Sequence, residues 1–224
     1  MTGVGEPAGF LQRLDGRHRT ALAALAVERH FSVGSAIFHE GSRADRVLVV
    51  TEGLVKLSRV SEQGREIVLA LRGTGEMLGE MSTIEGGIRS ATAKALERTT
   101  AMSIPSPQFR AYLTAHGDVA LIVLELVAAR LRETDDRKVD AADHDALGRV
   151  ARALAGLAET FGTDTASGKV VARMMSQDEL AGFVGASRES VSKALRQLRS
   201  AGLISVQRRG ATVVDLDALR RVGA

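Results

Sequence analysis

The chain has no cysteine, no tryptophan, one tyrosine and three prolines in 224 residues. Without a thiolate there is no disulfide, no Cys-ligated zinc, no iron–sulfur cluster and no thiol nucleophile. Five histidines, His18, His30, His39, His116 and His144, show no HxH or HExxH spacing, and no haem-ligand pattern stands out. Neither a metal nor a haem is therefore expected. Paired carboxylates and a Ser/His/Asp arrangement are also missing, so an enzyme is not expected. No window approaches 18 uninterrupted apolar residues, which argues against a membrane span. The opening "MTGVGEPAGF" lacks the basic and long apolar regions of a secretory signal, leaving the cytoplasm as the expected compartment.

What is present is ordinary folded-protein composition: 45% hydrophobic and 25% charged residues. The length suffices for two modest domains, each with its own core. Charge is unevenly placed. Residues 1–146 carry 18 basic and 20 acidic side chains, a net of −2, whereas residues 147–224 carry 12 and 7, a net of +5. A basic C-terminal third points to a polyanion-binding module joined to something else.

Three textures follow one another. Residues 10–30 place Leu11, Leu14, Leu22, Leu25 and Ala26 at helical spacing and read as short amphipathic helices. From Phe31 to about Ser106, short runs rich in Val, Ile, Leu and Thr alternate with glycines at 34, 41, 53, 64, 73, 75 and 79. Many short strands with glycine turns predict a closed all-β roll or sandwich. Pro105 and Pro107 end that section and a long helix follows. Its stripe of Leu124, Val127 or Ala128, and Leu131 repeats at seven residues, the spacing of a helix that pairs with a second helix. The stripe weakens toward Thr134, Lys138 and Asp145.

In "SQDELAGFVGASRESVSKALRQLRSAGLI", Ser176 and Glu179 form a capping box ahead of a helix Gln177–Val184 that stops at Gly185. Ser187 caps a second helix running through Ser200 and ending at Gly202. Two helices joined by a tight glycine turn make a helix-turn-helix. Arg188, Glu189, Ser192, Lys193 and Arg196 share a polar face opposite Val191, Ala194, Leu195 and Leu198. Arginine can fork onto guanine O6 and N7, and a carboxylate can accept from cytosine N4. The ribbon "LISVQRRGATVVDL" follows, turning at Arg208 and Arg209, and reads as a wing with arginines placed for phosphates.

This segment closely resembles the recognition region of the catabolite-activator/fumarate-nitrate-regulator (CRP/FNR) family of bacterial transcription factors. The match falls on Val184, Gly185, Ser187, Arg188, Glu189, Ser190 and Val191. The resemblance implies base reading by Arg188, Glu189 and Lys193, with Ser187 and Ser192 beside them. Lysine keeps the charge at the third place but loses the bidentate fork. "GTGEMLGEMSTIEGGIRSATAKA" likewise looks like the family's phosphate-binding cassette. By that resemblance Arg89 and Ser90 hold the phosphate of a cyclic nucleotide and Glu80 accepts from the ribose 2′-hydroxyl. The Gly79–Glu80–Met81 backbone allows the close approach. In cyclic-AMP-binding members the helix adds a hydroxyl pair near the adenine, from both subunits. Thr134 matches it, and Asp135 departs from the Ser or Asn often found there.

The resemblance covers about residues 10–214 and implies an α+β chain with three parts. These are a cyclic-nucleotide-binding β-roll (1–116), a dimerisation helix and hinge (117–145) and a winged helix-turn-helix (146–224). It implies a homodimer, with cyclic AMP as effector, a double-stranded DNA operator and RNA polymerase as partners. The segment "ETFGTDTASG" is the expected polymerase contact. Asp135 leaves cyclic GMP, a cyclic dinucleotide or no ligand open as alternatives.

Overall fold

The computed structural model describes residues 9–165, 168–172, 175–207 and 210–224. It opens on two short helices, α1 (Phe10–Arg13) and α2 (Gly16–Leu25). Asp15 caps α2 by accepting from the His18 amide at 2.7 Å. The helical texture expected to residue 30 stops earlier. Val27–Phe31 is strand β1, paired antiparallel with Thr99–Ser103. Only Phe31 among its residues escapes full exposure, so sheet hydrogen bonds rather than burial hold it extended.

Strands β2 (Ala36–Phe38), β3 (Arg46–Glu52), β4 (Val55–Val60), β5 (Glu66–Arg72) and β6 (Met77–Leu78) follow. A short helix, α3 (Glu80–Glu85), separates them from β7 (Thr92–Ala95) and β8 (Thr99–Pro105). They form two sheets, ordered β1-β8-β3-β6 and β2-β7-β4-β5, which is the roll the glycine-punctuated runs predict. Alternation along β3 shows how it is filled. Leu48 and Val50 join Val55, Leu78, Ala93 and Ala101 in a core shared by both sheets. Val47 and Val49 point the other way, into a cluster with Phe10, Leu22, Met77, Ile104, Phe109, Val119, Val123 and Leu126. A single strand thus glues the roll internally and docks it on the helices.

Two helices follow the prolines, and the second is the long helix expected from residue 117. Helix α4 (Ser106–Ala115) ends at His116, and α5 (Gly117–Asp143) leaves at a bend of 112°. No single helix among the described residues is long and apolar enough to cross a membrane. Helix α5 carries two apolar stripes. Val119, Val123 and Leu126 are buried in the N-terminal core, while Leu121, Leu124 and Leu131 stand 55%, 63% and 63% exposed.

The C-terminal part contains α6 (Ala146–Phe161), β9 (Thr163–Thr165), β10 (Gly168–Ala172), α7 (Gln177–Val184) and α8 (Arg188–Ser200). It ends with β11 (Ile204–Gln207), β12 (Gly210–Val213) and α9 (Leu216–Val222). Its strands are ordered β11-β12-β10-β9. Val150, Leu154, Leu180, Val191, Leu198, Ile204 and Leu219 are almost fully buried, each worth about 1.5–3 kcal/mol against exposure. The chain divides into two compact units, Met1–Arg59 with Leu69–Glu133, and Val60–Val68 with Thr134–Ala224.

Candidate functional site

Arg89 is the largest side chain buried almost completely, at 2% exposure. Its fork is spent on backbone: Nη1 donates to the Gly79 carbonyl at 3.0 Å and Nη2 to the Arg46 carbonyl at 2.6 Å. The guanidinium lies over the Phe38 ring at 4.3 Å, and Nε has no hydrogen-bond partner among the described residues. The nearest carboxylate, Asp45, is exposed and 3.8 Å away. Burial pushes the Arg89 pKa down, and the charges of Asp45 and Glu80 only partly oppose it. A guanidinium stays protonated regardless. A buried cation whose nearest counter-charge is an exposed carboxylate 3.8 Å away is only partly neutralised and favours a further anion.

Glu80 opens α3 and is 3% exposed. One carboxylate oxygen pairs with Arg130, which also donates to the Met77 carbonyl at 2.9 Å. The other, Oε2, is buried with no hydrogen-bond partner among the described residues. Such an oxygen costs roughly 1–3 kcal/mol until something donates to it, and a sugar hydroxyl can.

Gly79 makes the arrangement possible. Its φ is +75°, and a Cβ there would sit 2.0 Å from Arg89 Nη1. Gly79→Ala therefore combines left-handed strain with a collision against the buried fork. The expected outcome is a fall of about 2 kcal/mol or more in unfolding free energy, checked by urea denaturation.

The structure thus brings Gly79, Glu80 and Arg89 together around one cradle. Met81 and Ser90, the other two cassette residues, are exposed beside them. Thr134 and Asp135 are exposed on α5, one turn beyond Arg130. Asp135 is 3.2 Å from Lys138. Sequence reading missed Arg130, Phe38 and the Arg46 carbonyl. For Arg130 a signal existed: it precedes Thr134 by four residues on the same helix, and a buried Glu80 demands a cation.

The helix-turn-helix forms at the expected bounds. The Ser176–Glu179 capping box is reciprocal, at 3.2 and 2.8 Å. Gly185 closes α7 with φ +63°, and Ser187 caps α8 by accepting from the Ser190 amide at 3.1 Å. Val191, Ala194, Leu195 and Leu198 are buried beneath α8. Arg188, Glu189, Lys193 and Arg196 are exposed, and Ser192 is half-buried, accepting from Arg196 at 3.1 Å. The first turn of α8 is an exposed polar edge, on which Arg188 lies 3.6 Å from Asp178 of α7. Strands β11 and β12 pair antiparallel as the wing, while Arg208 and Arg209 lie outside the described residues. The expected polymerase segment is partly strand β9, and its residues 166 and 167 also lie outside them.

Comparison with known proteins agrees with both halves. The cyclic nucleotide-binding domain family matches residues 28–116, and the Crp-like helix-turn-helix domain family matches residues 148–222. The chain is 33% identical over 217 residues to a CRP-like cAMP-activated global transcriptional regulator of Mycobacterium tuberculosis, covering 96% of each. It is 34% identical over 181 residues to the cyclic AMP receptor protein of Thermus thermophilus, covering 79% of this chain and 78% of that one. Among solved structures, the c-di-GMP responsive global regulator CLP of Xanthomonas campestris shares the fold. Its TM-score is 0.77 at 24% identity, over 90% of this chain and 100% of that one. These relatives are regulators rather than enzymes, and the chain belongs to the CRP/FNR family of transcription regulators, with a cyclic nucleotide-binding domain and a Crp-like helix-turn-helix.

Proposed function

We propose that this chain is a homodimeric regulator whose DNA binding is controlled by cyclic AMP. The observation that carries the reading is the pair of unsatisfied buried groups, Glu80 Oε2 and Arg89 Nε. A cyclic nucleotide offers a hydroxyl to the first and a phosphodiester oxygen to the second. Ser90 adds a hydroxyl to the phosphate, and the backbone through Gly79 and Met81 borders the sugar. Thr134 and Asp135 meet the base. The division of labour is residues 1–116 as sensor, 117–145 as dimer helix and hinge, and 146–224 as DNA reader.

Adenine is favoured by the cyclic-AMP-activated relative at 33% identity over nearly the full length. Asp135 favours a second reading, in which its carboxylate accepts from the guanine amino group of cyclic GMP or a cyclic dinucleotide. Calorimetric titration of the full chain with cyclic AMP, cyclic GMP and cyclic di-GMP separates them. Selective cyclic AMP binding is expected; selective binding of a guanine nucleotide rejects the first reading, and binding of none rejects both.

On DNA, Ser187, Arg188, Glu189, Ser192 and Lys193 face the major groove, with Arg208 and Arg209 on phosphates. In a dimer the two α8 helices address half-sites about 34 Å apart. Arg188→Ala is expected to weaken binding to a selected operator by about 1–3 kcal/mol, roughly five- to 150-fold, while changing affinity for random DNA much less. A fluorescence anisotropy titration on both DNAs at one salt concentration checks this. Ligand can only shift the equilibrium by binding the DNA-competent state more tightly, so Arg89 and Glu80 engage it better there. RNA polymerase is the proposed further partner, through the segment around residues 159–168.

A further inference from the structure

His18, His116 and Asp118 are joined by no ligand spacing in the sequence, yet each offers a ligand atom, and these atoms all lie within 4.8 Å of one another. They come from α2, from the break between α4 and α5, and from the first turn of α5. We propose that these three side chains form a zinc site that staples α2 to the α4–α5 elbow of the N-terminal unit. No metal was expected from the histidine spacing, because the site is assembled by tertiary packing.

His18 is 3% exposed, and its ring is held at both nitrogens. Nδ1 is 2.7 Å from the Tyr112 hydroxyl, and Nε2 is 2.8 Å from Asp118 Oδ2. The His116 ring lies tilted against Tyr112, with centroids 4.3 Å apart, and stands edge-on to His18 at 5.1 Å. Two imidazoles and a carboxylate are a donor set that zinc accepts in tetrahedral geometry with one position left for water. The nitrogen donors favour it over magnesium or calcium. Tetrahedral donors stand about 3.3 Å apart at ordinary zinc distances, so the His18–Asp118 contact opens by only about 0.5 Å. The neutral tautomer with its proton on Nδ1 leaves the Nε2 lone pair open to the ion. Nδ1–H then donates to Tyr112, the outer hydrogen bond that orients a ligating imidazole.

One neighbour opposes the ion. Arg17 Nη2 lies 3.2 Å from His18 Nε2. Nε2 donates to Asp118 only when it carries a proton and accepts from Arg17 only when it does not, so the two contacts exclude one another. Arg17 is exposed and swings into water when zinc arrives.

The test uses the full chain, stripped with a chelator and titrated with zinc against a chromophoric competitor. Cobalt is used in parallel for its visible absorption. One zinc per chain is expected, with a rise in thermal midpoint because the ion binds only the folded state. His116→Ala and Asp118→Asn each lower affinity tenfold or more and abolish that rise. Tyr112→Phe gives a smaller loss, and His144→Gln leaves binding unchanged. Circular dichroism without metal establishes that each variant is folded. Binding by His116→Ala and Asp118→Asn as tight as by the parent chain overturns the site, as does less than one zinc per chain at saturation.

Discussion

Arg89→Ala is expected to weaken cyclic AMP binding by about 3 kcal/mol or more, a factor of roughly 150, because on the proposed reading it removes the buried charge partner of the phosphate. The size follows from the surroundings. Arg89 is 2% exposed, and its closest carboxylate is exposed and 3.8 Å away, so its charge is little neutralised by the protein itself. The same substitution removes one donor each from the Gly79 and Arg46 carbonyls, which keep the Thr83 amide at 3.2 Å and the Thr83 hydroxyl at 3.4 Å, and the fold loses about 0.5–1.5 kcal/mol for each lost bond. Binding must therefore be measured by calorimetry at a temperature where the variant is folded. Arg89→Lys separates the two effects. It keeps a cation but not the fork, so its affinity is expected between those of the parent and alanine forms. Unchanged affinity in folded Arg89→Ala would remove the phosphate assignment.

The second large effect is expected at the outer stripe of α5. Leu121, Leu124 and Leu131 expose more than half their surface on a helix whose opposite stripe is already buried. In a homodimer this stripe closes on its twin, and a carboxylate there would be buried without a partner. Leu124→Glu combined with Leu131→Glu is expected to give a monomer in sedimentation velocity, since each uncompensated charge costs several kcal/mol. Losing the second half-site contact should lower operator affinity by about 100-fold or more. Neither position touches the N-terminal core, where Val119, Val123 and Leu126 do the packing, so the thermal midpoint of the sensor should move little. A doubly substituted chain that still sediments as a dimer would place the seam elsewhere.

The parts that were legible in the sequence are those built from neighbours in the chain. Ser176, Glu179, Gly185 and Ser187 act within one helical turn of their targets, so α7 and α8 could be bounded to the residue. The strand runs were equally plain, because alternation along β3 is a property of successive residues. The site was half legible. The resemblance carried Gly79, Glu80 and Arg89, but Arg130 reaches Glu80 across fifty positions, and its place one turn before Thr134 is the only local hint of it. The bend at His116 was hidden for a similar reason: Tyr112, His18 and Asp118 meet there only after packing. Strand β1 was lost because its residues are exposed and bear no alternating apolar pattern, so its partner strand alone defines it. The identity of the base is the least legible of all, since on the proposed reading it rests on the side chains of Thr134 and Asp135 and not on the cradle.

The most direct measurement is operator affinity with and without saturating cyclic AMP, at fixed salt, for the parent chain and for Arg89→Ala. The DNA is one selected from a random pool by the parent protein with ligand present. The account expects cyclic AMP to raise the parent's affinity at least tenfold and to leave that of Arg89→Ala unchanged. Equal affinity of the parent chain in the presence and absence of the nucleotide would contradict it.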